Sequence, residues 1–269
     1  MKLVSSAKLR KAQNAIEAMR PYEEQLLGIL ASLQGGTAGV SSLNLGKNKD
    51  ERKTIVAIAS NSSLCGGFNA NAIAKVRAIR RPGDTVYAIG RKMADAMRKE
   101  GFASPEDFSA LSEHPSYGPA AALVEKLVAD VEAGRTGAVV LVYNHFVSTA
   151  RQEPVVEVLI QRETPDQVGG DRGVEERDSS PAPSYIAPLL EPSRAALLEA
   201  LVPKTRKLKL YAALLDSAAA EHAARTVAMQ TATDNAENLL AELTLQYNKG
   251  RQQKITSEIL DLAGGQAEN

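Results

Sequence analysis

Apolar residues recur at helical spacing along the first part of the chain. This spacing predicts a helix over residues 1–33, in which Pro21 is the only breaker and is expected to bend the axis. The Gly, Ser and Asn residues at 35–49 predict a loop. The apolar positions of the predicted helix are Leu3, Ala7, Leu9, Ile16, Met19, Leu26, Leu27 and Leu30.

Short β-branched runs alternate with helical segments over residues 50–163. The predicted strands are 54–59, 85–89, 138–143 and 155–160, and the predicted helices are 70–79, 91–99 and 120–133. Strand–helix alternation of this kind predicts a small α/β unit with a mostly parallel sheet, in which the last two strands are candidates for a hairpin. The acidic stretch that follows, rich in Gly, Ser and Pro, predicts a mobile loop over 164–192.

The last part of the chain is dominated by helix-forming residues. A short helix is predicted from Ser193 to Pro203, and residues 204–263 then contain no proline and one glycine. A continuous helix over that second range would be about 90 Å long. A compact chain of this length has a radius of gyration of about 18 Å, so such a helix must project and needs a partner.

A heptad count along this helix gives an alanine-rich apolar stripe, the seam. Eleven alanines lie between Ala212 and Ala241, and small residues of this kind allow two helices to approach closely. The predicted partner is the N-terminal helix, in an antiparallel two-helix coil. The α/β unit lies between these two helices in the sequence and connects them. The seam positions are Leu208, Tyr211, Leu215, Ala218, His222, Arg225, Met229, Ala232, Ala236, Leu239, Leu243 and Gln246.

Composition removes several functional classes. Lys plus Arg and Asp plus Glu both number 32 in 269 residues, and this balance argues against a nucleic-acid binder. One cysteine excludes a disulfide framework, and the spacing of His114, His145 and His222 does not suggest a metal site. No apolar stretch approaches the ~20 residues of a membrane helix, and the start does not resemble a signal peptide. These features indicate a soluble protein of a reducing compartment.

Each of three candidate functional sites also has a purely structural interpretation. Gly66 and Gly67 follow a predicted strand, as phosphate-binding glycines do, but no GxxxxGK[ST] or GxGxxG motif is present, which favours a structural turn. Cys65 is a candidate nucleophile at a helix start, although a small buried residue is the commoner role. His222 is a candidate pH sensor or, more often for such a position, a hydrogen-bonded polar interruption of the seam. No carboxylate pair or Ser–His–Asp order suggests catalysis.

Basic residues concentrate on the predicted helices between Lys75 and Lys99, where eight basic residues accompany two acidic ones. Aromatic residues are nearly absent from this stretch, which disfavours stacking on single-stranded nucleic acid. A solvated face or a docking face for an acidic protein is the favoured interpretation.

Three segments resemble the gamma subunit family of F-type ATP synthases, the central rotor shaft. They are MKLVSSAKLRKAQ with RPYEEQL at 1–27, SLCGGFNANA at 63–72, and ARTVAMQTATDNAENLLAELTLQYNKGRQQKITSEILDLAGG at 224–265. The third is highly specific. Weaker similarity at 89–92 and 143–154 extends the resemblance, in order, over nearly the whole chain.

The resemblance implies a fold that matches the pattern analysis: mixed α and β, with an antiparallel coil of the terminal helices and a Rossmann-like α/β domain. It implies shaft segments at 1–45 and 193–269, the α/β domain at 50–163, and the loop at 164–192. It also implies that the chain carries torque between a proton-driven membrane rotor ring and a catalytic ring of alpha and beta subunits, beside an epsilon subunit. It implies no catalysis, nucleotide, cofactor or metal, and a peripheral place on the cytoplasmic face of a bacterial inner membrane.

Three residues match family positions in the contact region between shaft and beta subunits: Arg225, Arg251 and Gln252. By the same resemblance Gly66 and Gly67 form a structural turn. Two other functions remain open from the residues alone. One is a small α/β nucleotide-binding enzyme whose coiled-coil ends dimerise, and the other is a basic coiled-coil scaffold for nucleic acid.

The chain departs from the family at three places. Family members normally carry about two dozen residues before the segment that matches Met1, and we hypothesise that Met1 is an internal methionine of the native protein. An in-frame stop codon directly upstream would contradict this. Residues 266–269 are polar where the family end is apolar, and Gly250 replaces the usual alanine, which loosens the helix by ~1 kcal/mol.

Overall fold

The computed structural model describes residues 2–33, 52–102, 104–161, 191 and 193–265, with side chains as far as residue 260. The loop predicted at 35–49 and the polar end at 266–269 therefore lie outside the described residues. The same holds for the predicted mobile loop at 164–192, apart from residue 191. Within the described part of the chain, no helix combines the length and apolarity needed to cross a membrane.

Four strands form one mixed sheet in the order β2-β1-β3-β4. Central β1 is parallel to both neighbours, with Val56 opposite Tyr87 on one side and Leu141 on the other. The last two strands form the antiparallel hairpin, and Pro154 is accommodated because β4 is an edge strand. The strands are β1 (Lys53–Ile58), β2 (Thr85–Ile89), β3 (Ala138–Phe146) and β4 (Gln152–Gln161).

Helices cover both faces of the sheet. Alternate residues of each strand point to opposite faces, so the sheet has two separate cores. One is closed by α2 and α3, and the other by α5 and α6. The short helix α4 was not predicted from the sequence. The helices are α1 (Lys2–Leu33), α2 (Phe68–Ile79), α3 (Arg91–Lys99), α4 (Ser109–Glu113), α5 (Tyr117–Glu132) and α6 (Arg194–Gly265).

The two terminal helices pack against each other in antiparallel fashion, as predicted. Near the start of α1, Leu9 is buried against Ala219 and Ala223 of α6. Further along α1, Glu23 lies in the electrostatic field of Lys209. Residue numbers therefore rise on one helix as they fall on the other, and the small alanine side chains allow the close approach that the seam predicted.

The predicted helix end at Pro203 is wrong, because α6 continues through this residue. Proline at this position lacks the N–H that would donate to the carbonyl one turn earlier. Pro203 is exposed, so water can satisfy that carbonyl. Buried Leu208, Leu210 and Leu214 anchor the next turns of α6 on the rest of the protein. This packing offsets the cost of one missing hydrogen bond. In α1 the helix likewise continues through Pro21.

The heptad seam describes only part of the burial of α6. Leu208 and Leu215 are buried as predicted, but every seam position from Ala232 onward is exposed. A heptad count assumes a single partner helix, whereas α6 has two neighbours over its buried part, α1 and the sheet with α5. Residues on the sheet side, which the count missed, are therefore also buried: Leu210, Ala213, Leu214, Ala220 and Ala224.

Gly90 is the single residue that connects the end of β2 to the start of α3. Its φ is +102°, and a Cβ on this residue would lie 2.1 Å from the carbonyl oxygen of Ala59. We expect Gly90→Ala to lower the free energy of unfolding by ~3 kcal/mol or more, through backbone strain and steric overlap.

Gly83→Ala is the matched control. Gly83 has a φ of +94°, but a Cβ on this residue would meet none of the described residues beyond its chain neighbours within 4 Å. Strain alone predicts a loss of ~1 kcal/mol there. Urea unfolding of the purified chains measures both losses, and equal losses would contradict the steric argument.

Candidate functional site

Two parts of α6 contain the predicted contact residues. We call residues 216–225 the shaft root, because here α6 is packed against both α1 and the α/β unit. We call residues 231–260 the free segment, because each of its side chains is exposed. At 1.5 Å per residue the free segment extends about 45 Å.

The free segment carries large apolar side chains in contact with solvent. Leu245 and Tyr247 are each 71% exposed, and Leu240 is 67% exposed. Because burial of one such side chain contributes ~1.5–3 kcal/mol, exposed apolar residues in this number indicate a surface that a partner covers. The full set is Leu239, Leu240, Leu243, Leu245, Tyr247, Ile255, Ile259 and Leu260.

These apolar residues are distributed around the whole circumference of the helix. Successive residues of an α-helix are separated by about 100° around the axis. On that count Tyr247 lies within about 20° of Leu240, Ile259 and Leu245 lie about 100° and about 140° around the axis from Leu240, and Leu260 lies on the opposite side, at about 200°. A single partner helix would need only one apolar stripe. The all-round distribution fits a helix that is surrounded.

Arg251 and Gln252 lie in the free segment, and both are exposed. Arg225 lies in the shaft root, 26 helical positions before Arg251, which is about 39 Å along the axis. The structure therefore does not bring the three predicted contact residues together. A partner contact at each of them stays a prediction.

Arg225 has partners within the chain. Its Nη1 lies 2.7 Å from Glu221 Oε1, one turn back on α6, and its Nη2 donates to Ser62 Oγ at 2.9 Å. The Arg225 and Glu221 side chains are only 12% and 10% exposed. The i,i+4 spacing of the pair is visible in the sequence, but its link to Ser62 is not.

The loop between β1 and α2 lies against the shaft root. Cys65 is buried with Phe68 against Ala220 and Ala224 of α6. This placement confirms the interpretation of Cys65 as a small buried residue. Of the two glycines, only Gly66 has a positive φ, +56°. A turn role for Gly66 and Gly67 stays a prediction, although the backbone at Gly66 favours glycine.

The polar groups of this loop are occupied by one another. Ser60 Oγ donates to the Ser62 carbonyl at 2.6 Å, and Asn69 Oδ1 accepts from Ser60 N at 3.0 Å. Asn61 Nδ2 donates to the Ser109 carbonyl at 2.8 Å.

In α/β proteins the carboxyl edge of a parallel sheet is where nucleotides bind. Here α6 and these internal bonds occupy the end of β1, which argues against the nucleotide-binding alternative.

A second polar link joins the shaft root to β3. Asp216 Oδ1 accepts from Phe146 N at 3.0 Å, and Asp216 Oδ2 pairs with His145 Nδ1. Burial raises the pKa of Asp216, while the bonds from His145 and Phe146 oppose that shift. Burial likewise raises the pKa of Glu221, and the Arg225 guanidinium opposes it.

His222 lies beside these charges without the hydrogen bond expected at its Nδ1. That atom is buried, and none of the described residues bonds to it. Burial, with Arg225 and Lys8 nearby, lowers the pKa of His222 to about 4. The neutral ring is therefore the form that the folded chain favours.

This depressed pKa makes His222 a source of acid sensitivity. The stability that it contributes is complete above the ordinary histidine pKa of 6.5 and is lost as the pH falls toward about 4. We expect His222→Gln to remove this loss, so the variant gains stability relative to the natural chain as the pH falls through that window. Thermal unfolding between pH 4 and 7.5 measures the difference. The same substitution at exposed His114 is the control, and a difference that is constant with pH would contradict the assignment.

The chain is similar to known proteins over nearly its full length. A family model described as ATP synthase matches residues 1–267. An ATP synthase gamma chain of Phocaeicola vulgatus is 44% identical over 272 residues, which cover 98% of this chain and 91% of that one. A gamma chain of Pelotomaculum thermopropionicum is 37% identical over 270 residues, with 99% and 91% covered.

Solved structures share the fold at lower identity. The Euglena gracilis mitochondrial ATP synthase in rotational state 3 contains a chain with a TM-score of 0.60 and 20% identity, covering 97% of this chain and 94% of that one. The central stalk and c-ring structure of the Tetrahymena thermophila enzyme gives a TM-score of 0.58 at 19% identity, covering 87% and 97%. These structures agree in architecture with the coil and small mixed sheet described above. From the family match and the full-length relatives, the chain belongs to the ATP synthase gamma chain family.

Proposed function

We propose that the free segment of this gamma chain lies inside a ring of alternating alpha and beta subunits, while the α/β unit faces the membrane rotor ring. The chain is a non-catalytic rotor subunit in the central stalk of an F-type ATP synthase. The observation that carries the proposed arrangement is the free segment itself, which is about 45 Å long and has exposed large apolar side chains on all of its sides. A helix with this surface is stable when subunits surround it.

The buried and the exposed parts of α6 have different roles. The buried part fixes the helix to the α/β unit, and the free segment carries rotation to the catalytic subunits. Because the apolar side chains differ from one side of the free segment to another, each beta subunit meets a different surface as the shaft turns. We assign Arg251 and Gln252 to that contact, since both are exposed on the free segment.

The membrane end of the chain is opposite to the free segment. We place the epsilon subunit and the rotor ring at this end, beside the amino ends of β1 and β3. The sequence-similar gamma chains of Phocaeicola vulgatus and Pelotomaculum thermopropionicum come from bacteria. They support a place on the cytoplasmic face of a bacterial inner membrane. The proton as the ion that drives the ring is carried over from the family resemblance alone.

Affinity purification from the native organism tests this arrangement. We expect the tagged natural chain to recover alpha and beta subunits with ATPase activity. Leu240→Asp combined with Leu245→Asp places charges on two sides of the free segment, and we expect this variant to lose most of that recovery, because both charges would be desolvated inside the ring.

Val147→Asp is the control, since Val147 is also an exposed apolar residue, 48% exposed, but lies between β3 and β4. It should recover the subunits as the natural chain does. Full recovery by the doubly charged variant would overturn the proposed arrangement. Micromolar binding of ATP by the isolated chain would instead favour the nucleotide-binding alternative.

A further inference from the structure

The shaft root is the part of α6 through which torque on the free segment reaches the α/β unit. Within the root and just before it in the sequence, α6 has neighbours on two sides. From Thr231 to residue 260 all of its side chains are exposed. Any torque on the free segment therefore enters the rest of the chain at the root.

Apolar packing at the root is provided mainly by methyl groups. Ala220 and Ala224 face Cys65 and Phe68, while Ala219 and Ala223 face α1. Alanine side chains permit close contact and contribute burial, but they project too little to interlock with a neighbouring surface. Such a contact resists separation more than it resists rotation of the helix about its own axis. At this level, directional polar bonds add to the register that the buried leucines earlier in α6 already provide.

Arg225, the last residue of the shaft root, provides such a bond. Its guanidinium is planar, with donors on both terminal nitrogens, so it can hold two acceptors in a fixed relation. One terminal nitrogen pairs with Glu221 on the same helix, and the other donates to Ser62 on the β1–α2 loop. Pairing with Glu221 restrains the side chain, because both members are nearly buried.

Ser62 is exposed, and its carbonyl is bonded to groups at the end of the sheet and on α2. Its carbonyl accepts from Ser60 Oγ at 2.6 Å and from Asn69 Nδ2 at 3.3 Å. Ser60 lies just beyond the end of β1, and Asn69 lies in the first turn of α2. The path from β1 to α6 thus runs through hydrogen bonds to the carbonyl and to the hydroxyl of Ser62.

Asp216 makes the second attachment nine residues earlier, about 13.5 Å lower along the helix. It accepts from the backbone of β3 at Phe146 and pairs with His145. The two attachments lie at different heights and reach different strands, so together they oppose both rotation and tilting of α6.

We infer that Arg225 is a positioning residue that fixes the rotational register of the shaft against the α/β unit, so that torque passes through the Glu221–Arg225–Ser62 link. This inference rests on the proposed rotor function. It adds an internal role for Arg225 to the partner contact that the family resemblance predicts.

The test uses the assembled complex and measures the torsional stiffness of the rotor. The catalytic ring is immobilised, the rotor is stalled, and a bead is attached at Thr149→Cys in the exposed turn between β3 and β4. The width of the angular fluctuations gives the stiffness. Ser62→Ala removes the link but leaves the ion pair, and Arg225→Lys keeps the charge but lacks the forked geometry. The Asp216 attachment and the apolar packing of α6 remain in each variant, so we expect each one to lower the stiffness by at most about half.

Arg98→Ala is the matched control, because it removes an arginine–aspartate pair confined to α3. It should leave the stiffness unchanged. Unchanged stiffness in both Ser62→Ala and Arg225→Lys would overturn the inference. A loss of stiffness only in variants whose unfolding temperature also falls would overturn it too, because that result indicates a purely structural role. If the natural chain forms no rotating complex, the proposed function fails instead, and this outcome is seen before any variant is compared.

Discussion

The structure depends on one helix that is much longer than the surface available to cover it. At 72 residues α6 extends about 108 Å, whereas the α/β unit and α1 bury it only around the stretch from Leu208 to Ala224. A helix that crosses the edge of its own domain must be packed tightly on one side of that edge and covered by a partner on the other. The two requirements divide α6 into an alanine-rich root and a leucine-rich free segment.

The composition of the chain follows from this division. Large rings on α6 at the root would push α1 away, so the contact between the two helices there is made with small residues. Small residues, however, leave the contact smooth. The polar groups at Asp216 and Arg225 compensate for this, because hydrogen bonds are directional where methyl contacts are not. Their cost is visible in the raised pKa values of Asp216 and Glu221, whose charged forms are partly desolvated.

Local patterns in the sequence were sufficient for most of the fold. The β-branched run at β2 and the helix α3 were predicted with the bounds that the structure has, because each is set by neighbouring residues. Burial along α6 was predicted less well, since a heptad count cannot represent a helix with two kinds of neighbour. Pro203 shows how tertiary packing overrides a local helix breaker. The Arg225–Ser62 bond joins residues 163 positions apart, and no local pattern encodes such a contact.

Amide hydrogen exchange across residues 231–260 tests most directly the central claim that the free segment needs a surrounding partner. Exposed helices without tertiary packing open readily, so their amides exchange quickly. We predict fast exchange of the free segment in the isolated monomeric chain, slow exchange around Leu208–Ala224 in the same sample, and strong protection of both in the assembled complex. Full protection of residues 231–260 in the isolated monomer would contradict the claim.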